Sequence, residues 1–224
     1  MIKPILCKPL LEFEPSNEVG YEWIEWDIRS YYYYAEKEQQ DQHRALTINA
    51  NLSLTLAICE WVLKRFEALT DIDATVAYVE SGWAGILDIE NTEYFQIRAD
   101  EWRGPVLGPL MIVQGIISEA FFEMPDDPDR SWHSCYAFNL ARHVMEGKST
   151  FETWYGLVFD RLLENHSMIS EEIVEDVLSH KYNFGRVVPR EAFDLDNEYD
   201  PAQGEVLLRA FVRDRGENHP FIKL

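Results

Sequence analysis

The sequence predicts a mainly α protein, an irregular bundle of about seven helices with at most a minor β component. Apolar residues recur at spacings of three and four over most of the chain, and prolines, glycines and capping residues interrupt these runs. An α+β fold is the alternative, because a few short segments could be extended. We expect one domain over residues 1–224, with residues 123–131 as the place where it could divide into two lobes.

The first predicted helix covers residues 21–40 and is rich in aromatic side chains. Its opening stretch, Tyr21 to Tyr34, reads Y-E-W-I-E-W-D-I-R-S-Y-Y-Y-Y and holds seven aromatic residues. On a helical wheel, one face carries Tyr21, Ile24, Ile28, Tyr31 and Tyr32. Trp23, Trp26 and Tyr34 gather on the opposite side. We expect the first face to pack on the core and the second to meet another element or a partner.

Three more helices are predicted next along the chain. Residues 42–68 are apolar on two sides, which is typical of a central helix. A second helix begins at Thr70–Asp73 and continues to Leu87. Pro105 suits the first turn of a third, whose apolar stripe reaches Phe121. Between them, residues 92–98 are predicted as a short strand or a loop.

The clearest break is E-M-P-D-D-P-D-R-S, residues 123–131, since its two prolines stop helices and Ser131 is a good N-cap. Helices are predicted over 132–146 and 150–165, the latter begun by a capping box of Ser149 and Glu152. A last helix follows Ser170. The remaining segments are ambiguous: residues 182–188 could be extended, and residues 205–213 could be helix or strand.

The charge limits the classes of partner. Against 20 Lys and Arg residues stand 40 Asp and Glu residues, a formal net charge of -20. This excess repels phosphate backbones and anionic lipid surfaces, so we expect neither a nucleic-acid nor a membrane partner. It suits a cationic partner, and solubility alone is the alternative explanation. Three widely spaced cysteines argue against disulfides and a zinc cluster and favour a reducing cytoplasm, with Cys59 and Cys135 buried.

Motifs for catalysis are missing from the sequence. It contains no G-x-S-x-G nucleophile turn, no phosphate-binding loop and no dinucleotide-binding glycine pattern. Pro125-Asp126 with Glu146-Gly147-Lys148 imitates a metal-dependent nuclease pattern, but its second half closes a predicted helix rather than lying on a strand. We therefore expect no catalytic residue and no cofactor.

Two groups of residues raise the question of a metal. His133, Cys135 and His143 could be ligands, but only His143 is predicted to share a face with Cys135, so a hydrogen-bonded core histidine is favoured. Residues 194–205 follow an EF-hand order of acids at positions one, three, five and twelve. Tyr199 stands where that loop needs glycine, so an acidic solvated loop is favoured. We expect no metal site.

What remains is recognition of a partner. Acidic residues cluster in two loops, and aromatic residues are enriched in the energetic centres of interfaces. The candidate partner-binding residues are Trp23, Trp26, Tyr34, Asp126, Asp127, Asp129, Asp194, Asp196, Glu198 and Asp200.

The whole-chain profile resembles that of bacterial immunity proteins, which neutralise toxins delivered by neighbouring cells, including nuclease effectors of the type VI secretion system. The resemblance lies in the net charge of -20, the Asp126–Asp129 loop and the Asp194–Asp200 run. It implies a non-catalytic cytoplasmic protein that occludes the active site of a basic toxin. A helical enzyme or small-molecule-binding protein with a hidden pocket, and an adaptor protein, are the alternatives.

Overall fold

The chain folds around helices, and the computed structural model describes residues 8–93, 102–123, 129–145, 148–168 and 184–223. In this part of the chain there are eight α-helices and no β-strand, which confirms the mainly α prediction. Two isolated bridges, Leu46 with Ser167 and Thr92 with Ile222, are its only β pairing. The helices are α1 (Lys8–Glu12), α2 (Lys37–His43), α3 (Ile48–Phe66), α4 (Asp73–Leu87), α5 (Gly104–Ser118), α6 (Ser131–Val144), α7 (Lys148–His166) and α8 (Gly204–Gly216).

Helix α3 is the centre of the fold. Its side chains are buried almost without exception, and α4, α5 and α6 pack around it. This explains the apolar residues on two sides of the predicted central helix. That helix begins later than predicted, however. The side chain of Thr47 caps it by accepting a hydrogen bond from the Ala50 N–H, and α2 is a separate short helix.

Residues 21–34 do not form the predicted helix. They form an irregular segment with one turn of 3₁₀-helix at Ile28–Tyr31. The periodicity of the segment fits a helix, but its side chains bond elsewhere: the Tyr31 hydroxyl accepts from the Ile24 N–H at 2.8 Å, and Trp23 and Glu25 reach α5. The two helical faces assigned to this segment therefore do not exist.

Most of the other predicted helices are confirmed, with shifted ends. Pro105 lies in the first turn of α5, and residues 205–213 are helical, as part of α8. Ser131 is the first residue of α6 rather than its N-cap, and α7 begins one residue before Ser149. The predicted helix after Ser170 and the loop at 124–128 lie outside the described residues.

Helices on both sides of residues 123–131 share one hydrophobic core. One hydrophobic cluster includes buried residues of α3, α5, α6 and α7. Cys59 and Cys135 belong to the interior, both fully buried as predicted. One helical stretch of the described residues, Gly104–Phe122, is long and apolar enough to cross a membrane, and 61% of the 18-residue window that meets this criterion is buried in this fold.

Candidate functional site: an acidic groove and an aromatic surface

A serine and a histidine meet in the interior, but they are inaccessible. His43 Nδ1 lies 2.6 Å from Ser134 Oγ, and His43 Nε2 lies 2.6 Å from the Tyr155 hydroxyl. Ser134 Oγ in turn donates to Asn51 Oδ1 at 2.8 Å. His43 and Ser134 have no solvent exposure, so no substrate can reach them. This chain of hydrogen bonds joins α2, α3, α6 and α7 and stabilises their packing.

A second buried polar cluster carries charge. Glu60 pairs with Arg190 at 2.6 Å, while Glu80 faces Arg215 at 3.6 Å and His219 at 3.4 Å. Burial raises the pKa of Glu60 and lowers the pKa of Arg190, although each partner opposes the effect on the other. These pairs fasten α8 and the segment around Arg190 onto α3 and α4. No sequence pattern indicates these pairs, since the partners in the first pair stand 130 residues apart.

The three side chains considered as metal ligands, His133, Cys135 and His143, do not form a metal site in the structure. His143 stacks on Tyr31 at 4.1 Å, and its Nε2 lies 2.9 Å from the Glu22 carbonyl oxygen. His133 is the buried histidine of α6, and its ring lies 6.3 Å from that of Tyr136. Burial raises the pKa of the Cys135 thiol to about 12, which disfavours the thiolate that a metal needs. In the described ranges, no group of three or more His, Cys, Asp or Glu side chains could hold a metal ion.

An acidic groove of about 730 Å³ lies between α7 and residues 195–199. Its carboxylates come from both walls: Asp160, Glu164, Asp196 and Glu198. The cation that lines it, Arg161, donates to the carbonyl oxygens of Ala192 at 3.1 Å and Asp194 at 2.8 Å. That guanidinium therefore holds the loop in place. Four carboxylates against one guanidinium leave the groove strongly negative.

The four acids predicted in this loop divide by role. Asp196 and Glu198 line the groove, whereas Asp194 accepts from the Asp196 N–H at 3.1 Å and shapes the turn. Asp200 accepts from the Ala202 N–H at 2.9 Å and caps a short 3₁₀-helix. Glu205, the last ligand of the EF-hand alternative, pairs with Arg209 on α8 at 2.7 Å. The loop is thus an acidic turn in which some carboxylates line the groove and others accept hydrogen bonds from the backbone.

The other acidic loop is described only at its end. Asp129 pairs with Arg44 at 2.9 Å and accepts from the Ser131 N–H at 3.1 Å, so it stabilises the first turn of α6. Asp129 therefore has a structural role, and its role in partner binding stays a prediction. Asp126 and Asp127 lie outside the described residues, as do Pro125 and Glu146 of the nuclease-like pattern.

The stretch 21–34 presents an aromatic surface, which we define as Ile24, Trp26, Tyr33 and Tyr34. Trp26 is 91% exposed and Tyr34 is 73% exposed, both unusual values for large apolar rings. Trp23, the third aromatic residue predicted to bind a partner, is half-buried instead and belongs to the support beneath this surface.

One support of the aromatic surface is the start of α5. The Trp23 ring packs so closely on Gly108 that a Cβ at this position would overlap it. Trp23 Nε1 donates to Glu25 Oε2 at 2.8 Å, and the same carboxylate accepts from the Gly104 N–H at 3.1 Å. Glu25 thus places a negative charge at the helix N-terminus, where the helix dipole stabilises it.

The other support is α6. Tyr31 stacks on Trp23 at 5.5 Å and on the ring of His143. Asn139 Nδ2 donates to the carbonyl oxygens of Tyr32 at 3.3 Å and Tyr34 at 3.1 Å. These contacts fix the backbone that carries the exposed rings. A surface held in this way loses little conformational entropy when it binds.

Comparison with protein families, with characterised proteins and with solved structures found no significant match. The function is therefore inferred from the chemistry of the groove and of the aromatic surface.

Proposed function

We propose that this protein is a non-catalytic inhibitor that binds and neutralises a basic protein toxin, as an immunity protein does. The observation that carries the proposal is the acidic groove, where Asp160, Glu164, Asp196 and Glu198 face one space. A net charge of -20 adds long-range attraction for a cationic partner. Such a toxin would be a nuclease effector of the kind that type VI secretion delivers, since a phosphate-binding active site is itself basic.

The two surfaces have different roles in this proposal. The groove receives Lys or Arg side chains of the partner and accelerates association through its negative potential. Trp26 and Tyr34 supply apolar contact area, because exposed rings on a fixed backbone have the character of interface hot spots. Inhibition then follows from occlusion of the toxin's active site, without any chemistry by this chain.

The proposed compartment is the cytoplasm. Cys59 and Cys135 are free thiols in the interior, which fits a reducing environment. An immunity protein must also meet its toxin where the toxin acts, and for a nuclease that place contains the nucleic acid.

The groove is tested by removing charge without changing shape. The partner is first captured from the source cells on immobilised protein, and its binding is then measured by surface plasmon resonance. We expect the Asp196→Asn, Glu198→Gln double variant to lower the association rate constant by about tenfold at low salt, and by less at high salt, because salt screens the lost attraction.

A matched control is the Glu152→Gln, Glu217→Gln double variant, which removes two exposed carboxylates outside the groove. We expect it to leave the association rate within about twofold of the unchanged protein. Equal rates for the double variant and the unchanged protein would remove the groove from the interface. Retention of no protein partner would refute the inhibitor function.

A further inference from the structure

A polar pocket of about 420 Å³ lies between the stretch that leads into α2 and one side of α6. Its lining includes a carboxylate from Glu36, the residue before α2, and a guanidinium from Arg142 of α6. None of its lining residues belongs to the acidic groove. A volume of this size matches sites for small organic molecules, so the polar pocket is a second candidate site.

The two charges of the polar pocket are not used by the fold. Glu36 and Arg142 are exposed, and among the described residues neither side chain takes part in an ion pair or a hydrogen bond. They line one pocket without pairing with each other. A ligand that carries both a cationic and an anionic group can therefore pair with each of them.

The guanidinium of Arg142 is positioned by an aromatic ring. Its central carbon lies 5.9 Å from the centroid of Phe138, which stands one turn earlier on α6. This cation–π contact restricts the side chain while its N–H groups stay free of other described residues. Because a guanidinium binds a carboxylate through two parallel hydrogen bonds, Arg142 suits the anionic group of a ligand.

The neutral amides add an acceptor near the carboxylate. Asn139 is saturated, since its Nδ2 donates to two carbonyl oxygens of the irregular segment and its Oδ1 accepts from Gln39 Nε2 at 3.3 Å. Gln39 uses its amide nitrogen in this bond, so its Oε1 remains an acceptor without a partner in the described part of the chain. Gln39 stands three residues after Glu36, and together they suit an ammonium group, which only donates.

Aromatic rings form the apolar part of the wall. Tyr31, Tyr34 and Phe138 line the polar pocket. Two of these rings are fixed by the fold, because Tyr31 stacks on His143 at 4.1 Å and Phe138 packs on Tyr155 at 4.3 Å between ring centroids. A wall that is already in place costs little conformational entropy when a ligand binds.

We propose that the polar pocket binds an α-amino acid with an apolar side chain. The carboxylate of the ligand pairs with Arg142, its ammonium group pairs with Glu36 and Gln39, and its side chain packs against the rings. An anion or a cation alone would satisfy only one of the two charges. A zwitterion has no net charge, so the overall charge of -20 does not decide its affinity. This site goes beyond the inhibitor function and does not depend on it.

The test is isothermal titration calorimetry on the full chain with L-phenylalanine and L-leucine. Two analogues of phenylalanine each lack one charge: phenethylamine lacks the carboxylate, and 3-phenylpropanoate lacks the ammonium group. We expect saturable binding of at least one of the two amino acids. We also expect each analogue to bind at least about tenfold more weakly than L-phenylalanine, because a charge-assisted hydrogen bond is lost in each.

Variants assign each charge of the ligand to its partner. Arg142→Gln and Glu36→Gln should each lower the affinity for L-phenylalanine by about tenfold. In Arg142→Gln, L-phenylalanine should bind no more tightly than phenethylamine, because its carboxylate has lost its partner. In Glu36→Gln, L-phenylalanine should bind no more tightly than 3-phenylpropanoate for the corresponding reason.

Matched controls remove the same charges from exposed residues that do not line the polar pocket, Arg29→Gln and Glu38→Gln. We expect both to keep the affinity for L-phenylalanine within about twofold of the unchanged protein. The proposal would be overturned by no saturable binding of either amino acid, by equal affinity for L-phenylalanine and both analogues, or by unchanged affinity in both Arg142→Gln and Glu36→Gln.

Discussion

His43 is a fully buried histidine with both ring nitrogens in hydrogen-bonding contact. The hydrogen bonds form one consistent direction if the Tyr155 hydroxyl donates to Nε2, Nδ1–H donates to Ser134, and Ser134 donates to Asn51. That order requires a neutral imidazole. Burial favours the same state, since it lowers the pKa of His43 to about 4.

This pKa predicts acid sensitivity of the fold. The folded-state pKa of His43 lies below the ordinary value of 6.5, so the unfolded chain binds the proton first. His43 therefore costs no stability above pH 6.5, and the free energy of unfolding falls as the pH drops from 6.5 towards 4, by up to about 1.4 kcal/mol per pH unit. Urea unfolding at a series of pH values measures this slope.

His166 adds to the slope over the same range, because burial lowers its pKa to about 4 as well. The variant His43→Gln isolates one contribution: we expect it to lose about 1–3 kcal/mol of stability at neutral pH and to have a shallower slope below pH 6.5. A slope as steep as that of the unchanged protein would show that His43 is not the group that titrates.

The conformation of residues 21–34 is determined by tertiary contacts rather than by the local spacing of apolar residues. Its spacing of apolar residues fits a helix, yet Trp23 packs on Gly108 and Glu25 accepts from Gly104, both about 80 residues away. By contrast, α3 and α5 follow their own periodicity because their apolar stripes face a core on several sides. Patterns within one segment were sufficient for those helices and insufficient for this one.

The candidate site was predicted in composition and not in arrangement. Trp26, Tyr34, Asp196 and Glu198 were identified by residue type, and the structure leaves all four exposed. The structural roles of Trp23, Asp194 and Asp200 could not be predicted, because they depend on hydrogen bonds and packing that the sequence does not display.

Gly108 offers a test of the support beneath the aromatic surface. A methyl group at this position would overlap the Trp23 ring, so we expect Gly108→Ala to displace Trp23 and to lower the free energy of unfolding by about 1–3 kcal/mol. The displacement should also weaken partner binding, since Trp26 and Tyr34 lose their fixed backbone. Urea unfolding and tryptophan fluorescence report the two structural effects.

The matched control lies in the same helix. Gly115 has open space where its Cβ would stand, so Gly115→Ala should raise stability by about 0.5–1 kcal/mol through helix propensity alone. An equal gain in stability in both alanine variants would show that the Trp23 ring does not pack against Gly108.

Across the molecule, the acidic residues fall into two groups with different roles. Some stabilise the fold: Glu60 and Glu80 in the buried cluster, and Asp129 at the start of α6. Others line the groove: Asp160, Glu164, Asp196 and Glu198. Self-repulsion of the net charge of -20 opposes folding. Carboxylates gathered at one groove therefore favour a role in binding over a role in stability.

We propose that this chain inhibits a basic protein by binding it in a fixed ratio. The most direct measurement titrates the activity of the captured partner with increasing amounts of this protein. We predict that the activity falls linearly and reaches zero at about one equivalent, because a tight stoichiometric inhibitor is consumed as it binds. Full activity of the partner at a large excess of this protein would contradict the claim.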